Sequence, residues 1–437
     1  MVAARRLHDA GHEVHIFEAR DRIGGHTATV KTSLDGHDYV VDTGFIVFNE
    51  RTYPGFCALL NELGVGWKSS DMSFSARVDQ DAMEYNGTST RTLFAQKRNL
   101  LRPRFWSMIR GILRFYKEAP GLLEKDPDGV GPTLGEVLEE GGYSQPFIQW
   151  HIVPMACAVW SGIPDEILSF PARSLVRFFA NHGFLQVEDR PPWLTVEGGS
   201  RAYADALLAP VLGKVRLSTP VQSVRPIPGD GSVETVELTT AGGTETFDKV
   251  LLACHSDQAL KMLADPTEAE AEVLGAIRYQ PNEVTLHTDP VLMPHRKAAW
   301  AAWNVWVPKE PGVEKDPVRV TYWMNPLQSI EGPHDLFVSL NSNSAIAPES
   351  IIETKTFHHP IFDSAAIAAQ GRFEEIDGAR GVHYCGAYWS FGFHEDGLQS
   401  ARRALVRMGV DPKLPDRPEE LRPGLAGGAA RDGAPRP

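Results

Sequence analysis

The sequence predicts an α/β protein, and three observations at its start predict it. Residues 14–18, "VHIFE", form a short β-rich run ending in an acid. A helical stretch over residues 3–10 precedes this run, and Gly11 stops it. An Arg- and Gly-rich turn, "ARDRIGG", follows. Helix, strand with a terminal acid, then glycine turn is how the second half of a dinucleotide-binding unit reads. There the acid accepts hydrogen bonds from ribose hydroxyls. Adjacent glycines, with no Cβ in the way, let backbone N–H groups approach a pyrophosphate. The plainer alternatives are a surface Glu after any strand and an ordinary turn.

Length and charge narrow the class. At 437 residues with 42% hydrophobic content, the chain is long enough for two domains with ordinary cores. A net charge of −13 argues against nucleic acid, whose phosphates the surface as a whole would repel. Cys57, Cys157, Cys254 and Cys385 lie far apart with no CxxC pair, so neither a disulfide framework nor a zinc site is expected. No apolar run approaches the roughly 18–20 residues needed to span a bilayer, and no signal peptide is visible. A cytoplasmic protein is expected. The sequon Asn86-Gly87-Thr88 means little without a secretion signal.

Beyond residue 18, "GHDYVVDTGFIVFN" supplies a strand running into a glycine turn, and residues 52–63 a helix capped by Gly64. From about residue 71 to 191 the pattern is mostly helical, punctuated by Pro and Gly. "WLTVEGGSRAYADALLAPVL" returns to strand, glycine turn and helix. Residues 214–254 hold four short strands split by Gly-rich turns, as in a β-meander. Residues 300–341, rich in Trp, Val and Tyr, suggest a second sheet. "GVHYCGAYWSFGFHEDGLQSARRALVRMG" closes the folded part with strand, loop and helix. The tail, 411–437, is rich in Pro, Gly and Arg and is expected to be disordered.

Five of these stretches in this order, "VHIFEARDRIGGHTATV", "VDTGFIVFNERTYP", "TVEGGSRAY", "LLACHSDQAL" and "YCGAYWSFGFHEDGLQSA", resemble the FAD-dependent amine oxidase and desaturase superfamily. The closest resemblance is to its bacterial branch of NAD/FAD-binding oxidoreductases, and it covers nearly the whole chain to about Gly409. It implies a Rossmann-like FAD-binding domain built from discontinuous segments, 1–75, 190–285 and 375–410, plus an α+β substrate domain from 76–189 and 286–374.

The resemblance also implies roles. Glu18 would hold the adenosine ribose, with Ala19 and Arg20 along the adenosine half. Gly24, Gly25, His26 and Thr27 would bring backbone and side chain to the pyrophosphate and ribityl chain. Gly44 and Phe45 would sit under the isoalloxazine, and Val221 would pair with adenine. Gly386 and Ala387 would offer N–H groups to phosphate. Glu395, Asp396, Gly397 and Leu398 would face the flavin pyrimidine, where a helix start with its positive dipole end suits the negative charge of reduced flavin. His394 and Glu395 are the candidate catalytic side chains; the alternative is that His394, Glu395 and Asp396 only cap a helix.

Two departures stand out. Many amine oxidases of this fold place a lysine on the strand entering the substrate domain; here Asn282 and Glu283 stand in the comparable run, which weakens an amine oxidase mechanism. The first strand and its GxGxxG are absent, and "MVAARRL" lines up just after the third glycine. Such a chain is expected to fold poorly and bind FAD weakly. A start codon set too late in the reading frame explains it; a relic of an enzyme is the alternative.

For the substrate side, Trp300, Trp303 and Trp306 would favour an apolar small molecule if they face the flavin, and otherwise fill a core. Arg102, Arg104, Arg110, Arg114 and Lys117 alternate with Phe105, Trp106, Ile109, Ile112, Leu113 and Tyr116. That pattern suits either a helix with a solvated basic face or peripheral contact with an anionic membrane. His255, His287, His358 and His359 show no metal spacing. The expected function is dehydrogenation of an apolar, lipid-like substrate by non-covalently held FAD, with hydride passing to N5. A flavin amine oxidase is the alternative within the class, and a non-catalytic binding protein the alternative outside it. Oligomeric state stays open.

Overall fold

A seven-stranded sheet carries the larger core in the computed structural model, which describes residues 1–124, 130–228, 235–309 and 319–422. The strand order is Ile351–Ile361, Arg278–His287, Phe337–Leu340, Arg319–Trp323, Trp303–Val307, Phe74–Val78, Met83–Asn86. Neighbours are antiparallel except Trp303–Val307, which runs parallel to Phe74–Val78. Helices Val153–Trp160 and Ala172–Asn181 share a core with this sheet: Leu175, Phe178 and Phe179 are buried together with Val284, Leu286, Val305 and Val338. Each such side chain stabilises by about 1.5–3 kcal/mol.

The region from 71 to 191 therefore opens with a hairpin, Phe74–Val78 and Met83–Asn86, before its helices begin. The expectation of a mostly helical segment missed it because the hairpin's partner strand lies far along the chain. The hairpin also straddles the expected domain boundary at 75. Residues 300–341 do contribute three adjacent strands of the sheet.

The rest of the β structure is small. Ile16–Phe17 pairs parallel with Val215–Arg216, and Val250–Leu252 pairs parallel with Val382–Tyr384. Between them in sequence, Val221–Ile227, Thr235–Thr240 and Gly243–Phe247 form an antiparallel meander. Val224, Val236, Leu252 and Tyr384 share a second core. The run at residues 14–18 contributes only Ile16 and Phe17 to a ladder because, among the described residues, it is paired on one side alone. Val250–Leu252 likewise has one ladder partner among the described residues. Each strand thus leaves a row of backbone N–H and C=O groups on its other edge. Residues of both strands, with Met1 and Val2, line one cavity.

The stretch expected to be a disordered tail divides in two. Residues 411–422 pack against the body: Leu414 and Leu421 are buried, and Arg417 pairs with Asp396 at 2.6 Å. Arg6 Nε donates to Pro412 O at 2.8 Å and Asn181 Nδ2 to Leu421 O at 3.2 Å. A Pro-rich segment without periodicity can be held by such side-chain contacts, which composition does not show. The remainder, 423–437, lies outside the described residues. No described helix is long and apolar enough to cross a membrane.

Candidate active site

One continuous cavity of about 1680 Å³ runs from the Ile16–Phe17 strand to the seven-stranded sheet. Of the residues expected to hold a cofactor, Glu18, Ala19, Arg20, Gly25, His26, Gly44, Phe45, Val221, Gly386, Ala387, Gly397 and Leu398 line it, and His394 joins them. These come from five separate stretches of chain, 18–26, 44–45, 221, 386–387 and 394–398, and the fold brings them to one cavity.

Local geometry explains the residue types. The Gly24–Gly25 turn has φ of +119° and +57°, in the left-handed region that favours glycine. At Gly44 the reason is proximity: a Cβ there would lie 2.2 Å from His26 O, which accepts the Phe45 N–H at 2.8 Å. Glu18 ends its strand half-buried, with one carboxylate oxygen accepting the Arg20 N–H at 2.9 Å. Glu18 lines the cavity, and among the described residues its other carboxylate oxygen has no hydrogen-bond partner.

Four of the expected residues do something else. Gly24 and Thr27 build the turn from behind: Thr27 N–H donates to Gly24 O, and Thr27 Oγ1 bonds Tyr203 OH at 2.6 Å. Glu395 is buried, and its two oxygens accept the Gly55 and Phe56 N–H groups at 3.0 and 2.8 Å. It caps the helix Pro54–Leu63, so its carboxylate is no catalytic candidate. Asp396 accepts the Phe393 N–H at 2.8 Å and pairs with Arg417. The dipole of the helix His394–Arg407 still points toward the cavity, but through His394, Gly397 and Leu398. A further correction concerns Gly386, whose N–H donates to Ser400 Oγ at 2.9 Å and is not free for phosphate.

Burial keeps four histidines of the wall, His26, His182, His359 and His394, neutral. Burial pushes His26 well below the usual imidazole range, with His359 adding to the effect. Burial lowers His359 to about 4, and His394 and His182 to about 3. His394 stacks on Phe45 at 3.8 Å between ring centroids, and its Nε2 bonds Tyr203 OH at 2.6 Å. His182 Nδ1 donates to Phe178 O at 2.8 Å, which fixes its tautomer.

Asn282, in the position of the expected lysine, is fully buried and not on the wall. Its Oδ1 accepts from Asn341 Nδ2 at 2.7 Å, so its Nδ2 donates to His359 Nδ1 at 2.9 Å. With Nδ1 accepting, neutral His359 carries its proton on Nε2. His26 lies 5.2 Å from His359 between ring centroids and stacks on Phe357 at 4.5 Å, with its Nε2 buried and unpaired among the described residues. This Asn341–Asn282–His359 chain of hydrogen bonds joins two strands and the residue that follows a third, and has no local sequence signal.

Of the three tryptophans, only Trp303 lines the cavity. Trp306 lies an odd number of residues further along the same strand, so it faces the other side and donates to Asp79 at 2.8 Å. Trp300 precedes the strand and packs edge-on against Trp323. Sequence reading missed Trp160, Phe178, Trp193, Tyr322 and Phe393, which complete an aromatic wall.

The residues suit a flavin dinucleotide: a carboxylate at the ribose end, a glycine turn beside it, and an unpaired His26 Nε2 with the Phe45–His394 stack at the ring end. Among the described residues, the acids, Lys and Arg that line the cavity are Glu13, Glu18 and Arg20 around the strand Ile16–Phe17, Asp248 and Lys249 just before Val250–Leu252, and Lys261 on the helix Ser256–Met262. Among the described residues, no Asp, Glu, Lys or Arg lines the aromatic end.

Over residues 1–304 the chain matches the family described as flavin containing amine oxidoreductase. Among solved structures it is similar to cyclohexylamine oxidase from Brevibacterium oxydans, at 15% identity over 93% of this chain and 95% of that chain, TM-score 0.65. It is similar to a CLA-producing fatty acid isomerase from P. acnes at 16% identity, covering 94% and 96%, TM-score 0.64. Putrescine oxidase with bound putrescine matches at 15%, covering 93% and 96%, TM-score 0.63. At these identities the likeness is one of fold.

Proposed function

The chain belongs to the flavin containing amine oxidoreductase family, and on that footing we propose that it oxidises an uncharged, apolar substrate of lipid-like character. It is an FAD-dependent oxidoreductase. When bound, the flavin supplies the redox chemistry by taking two electrons with a hydrogen from the substrate. The chain's own residues bind, orient and exclude water. In this reading Glu18 accepts from the ribose hydroxyls and the turn at Gly25 approaches the pyrophosphate. Phe45 and His394 back the ring system. His359 offers its Nε2–H into the cavity, held by Asn282.

The observation that carries the substrate class is the absence of any carboxylate at the aromatic end among the described lining residues. An alkylammonium ion entering there would lose its hydration without gaining a counter-ion, a cost of several kcal/mol. An acyl chain meets no such penalty and gains by burying its methylenes at about 0.8 kcal/mol each. The family description favours a second reading, oxidation of an amine that enters in its neutral form.

Anaerobic bleaching of the flavin separates the two. Unsaturated or branched fatty acyl chains should bleach the yellow protein while alkyl amines leave it oxidised. Bleaching by amines alone would overturn the proposed substrate.

A further inference from the structure

We propose that the segment 97–117 docks the protein on an anionic membrane surface. Nine large apolar side chains are exposed among the described residues, and four of them fall within this one segment: Leu100, Leu101, Trp106 and Leu113, from 39% to 88% exposed. The same segment carries seven cations, Lys97, Arg98, Arg102, Arg104, Arg110, Arg114 and Lys117, in a chain whose net charge is −13; Arg104 pairs with Asp81 at 2.5 Å and Arg114 with Glu118, the last residue of the helix, at 2.9 Å, which leaves a surplus of five.

The local structure gathers Trp106, Arg110, Leu113 and Lys117 on the outer face of the helix, while Arg98 and Arg102 bond Ala82 O and Arg104 pairs with Asp81. The turn Lys97–Leu101 leads into the helix Pro103–Glu118, and Trp106 Nε1 donates to Leu100 O at 2.9 Å, fixing the indole beside the turn. The inner face of the helix is committed: Phe105, Met108, Gly111 and Phe115 are buried, and a Cβ at Gly111 would lie 2.6 Å from Phe147. The helix cannot rotate its outer stripe inward. That stripe, Trp106, Arg110, Leu113 and Lys117, advances in steps of four, three and four residues, so the side chains lie one above another.

Leucines and an indole set between long cations match the boundary between headgroups and acyl chains. There the apolar tips enter the membrane and the Lys and Arg stems reach back to the phosphates. Charge favours a lipid sheet over a soluble partner of mixed charge. The basic face is drawn to an anionic leaflet while the acidic remainder of the molecule is repelled, which sets the orientation.

The test is co-sedimentation of the purified holoenzyme with phosphatidylcholine vesicles, with and without phosphatidylglycerol. Two double variants accompany it, Leu101→Asp with Leu113→Asp and Arg110→Glu with Lys117→Glu. All four side chains point outward, so thermal melts and flavin content should match the parent and certify folding. Expected are binding only to the anionic vesicles, weakening at high salt, and loss of more than about ten-fold in partitioning for each variant. No binding to anionic vesicles, or equal binding by the charge-reversed variant, overturns the proposal. So does self-association in solution that the leucine variant abolishes, since that assigns the face to a second copy. The readout is independent of turnover, so it stands or falls apart from the substrate reading.

Discussion

Asp42 offers the sharpest test of how the cavity wall is held. It ends the strand His37–Asp42, is fully buried, and meets only donors. Its carboxylate accepts from Ser200 N at 2.9 and 3.0 Å, Ser200 Oγ at 2.8 Å, Thr29 Oγ1, and Gln328 Nε2 at 2.9 Å. It thereby ties the hairpin that leads to Gly44 to the glycine turn before helix Arg201–Leu208 and to the end of the substrate-side sheet. Burial raises this carboxyl from 3.8 to about 6, against the pull of the Thr29 and Ser200 donors. A raised native pKa means that the folded state holds a proton which the unfolded chain has released. The associated stability is complete below the unfolded value and is lost as pH rises through about 6. A shift of about two units corresponds to about 3 kcal/mol, of which about 1.4 kcal/mol falls between about pH 5 and about pH 7.5.

Asp42→Asn removes the titration and turns an amide N–H toward other donors, at a cost of about 1–3 kcal/mol at neutral pH. Urea unfolding followed by tryptophan fluorescence, for parent and variant at both pH values, gives the difference directly. The stability gap should be wider at the lower pH by about 1.4 kcal/mol. A gap that stays constant, or that narrows on acidification, refutes the reasoning: the donors would then have kept the carboxylate charged despite burial.

Other predictions bear on the cofactor and the substrate wall. Glu18→Ala should remove two charge-assisted bonds to ribose, about 3 kcal/mol or roughly a hundred-fold in FAD affinity, read from flavin absorbance after gel filtration. Retention equal to the parent's would sink the role given to Glu18. Trp303→Ala should raise KM for a bulky apolar substrate about ten-fold, whereas Trp306→Ala, on the opposite strand face, should change thermal stability alone. Steady-state kinetics and melts of both variants check the parity. Because burial holds His359 near 4 and His394 and His182 near 3, these groups should add no limb to the pH profile of kcat/KM between about pH 5.5 and about pH 8. A limb near pH 6.5 that vanishes in His359→Gln would show a charged imidazole in the site instead.

The parts of the site carried by short local patterns were legible from residue order. A terminal acid at residue 18, a Gly–Gly turn and a helix start at residue 394 each occupy a few consecutive positions whose chemistry is local. The parts that depend on strand register were not. Asn282, Asn341 and His359 meet only because three strands align, and no spacing announces it. The three tryptophans look equivalent until strand parity sends Trp303 inward and Trp306 outward. Glu395 and Asp396 read as a helix start beside a flavin, yet distant Gly55, Phe56 and Arg417 claim their carboxylates. The side of the fold held by composition alone, the stretch after residue 410, misled in the same way.

That stretch has a practical meaning for anyone who shortens the protein. Arg417 is the counter-charge of Asp396, which sits between the wall residues His394 and Gly397, and Tyr53 and Glu395 sit close by. Trimming the C-terminus upstream of position 417 would strand an anion in a dry interior beside a second carboxyl group. The cavity wall at His394, Gly397 and Leu398 would then loosen. Nicking by a protease in this exposed-looking, proline-rich strap would act the same way, so a seemingly dispensable appendage works as a clasp on the catalytic half of the molecule.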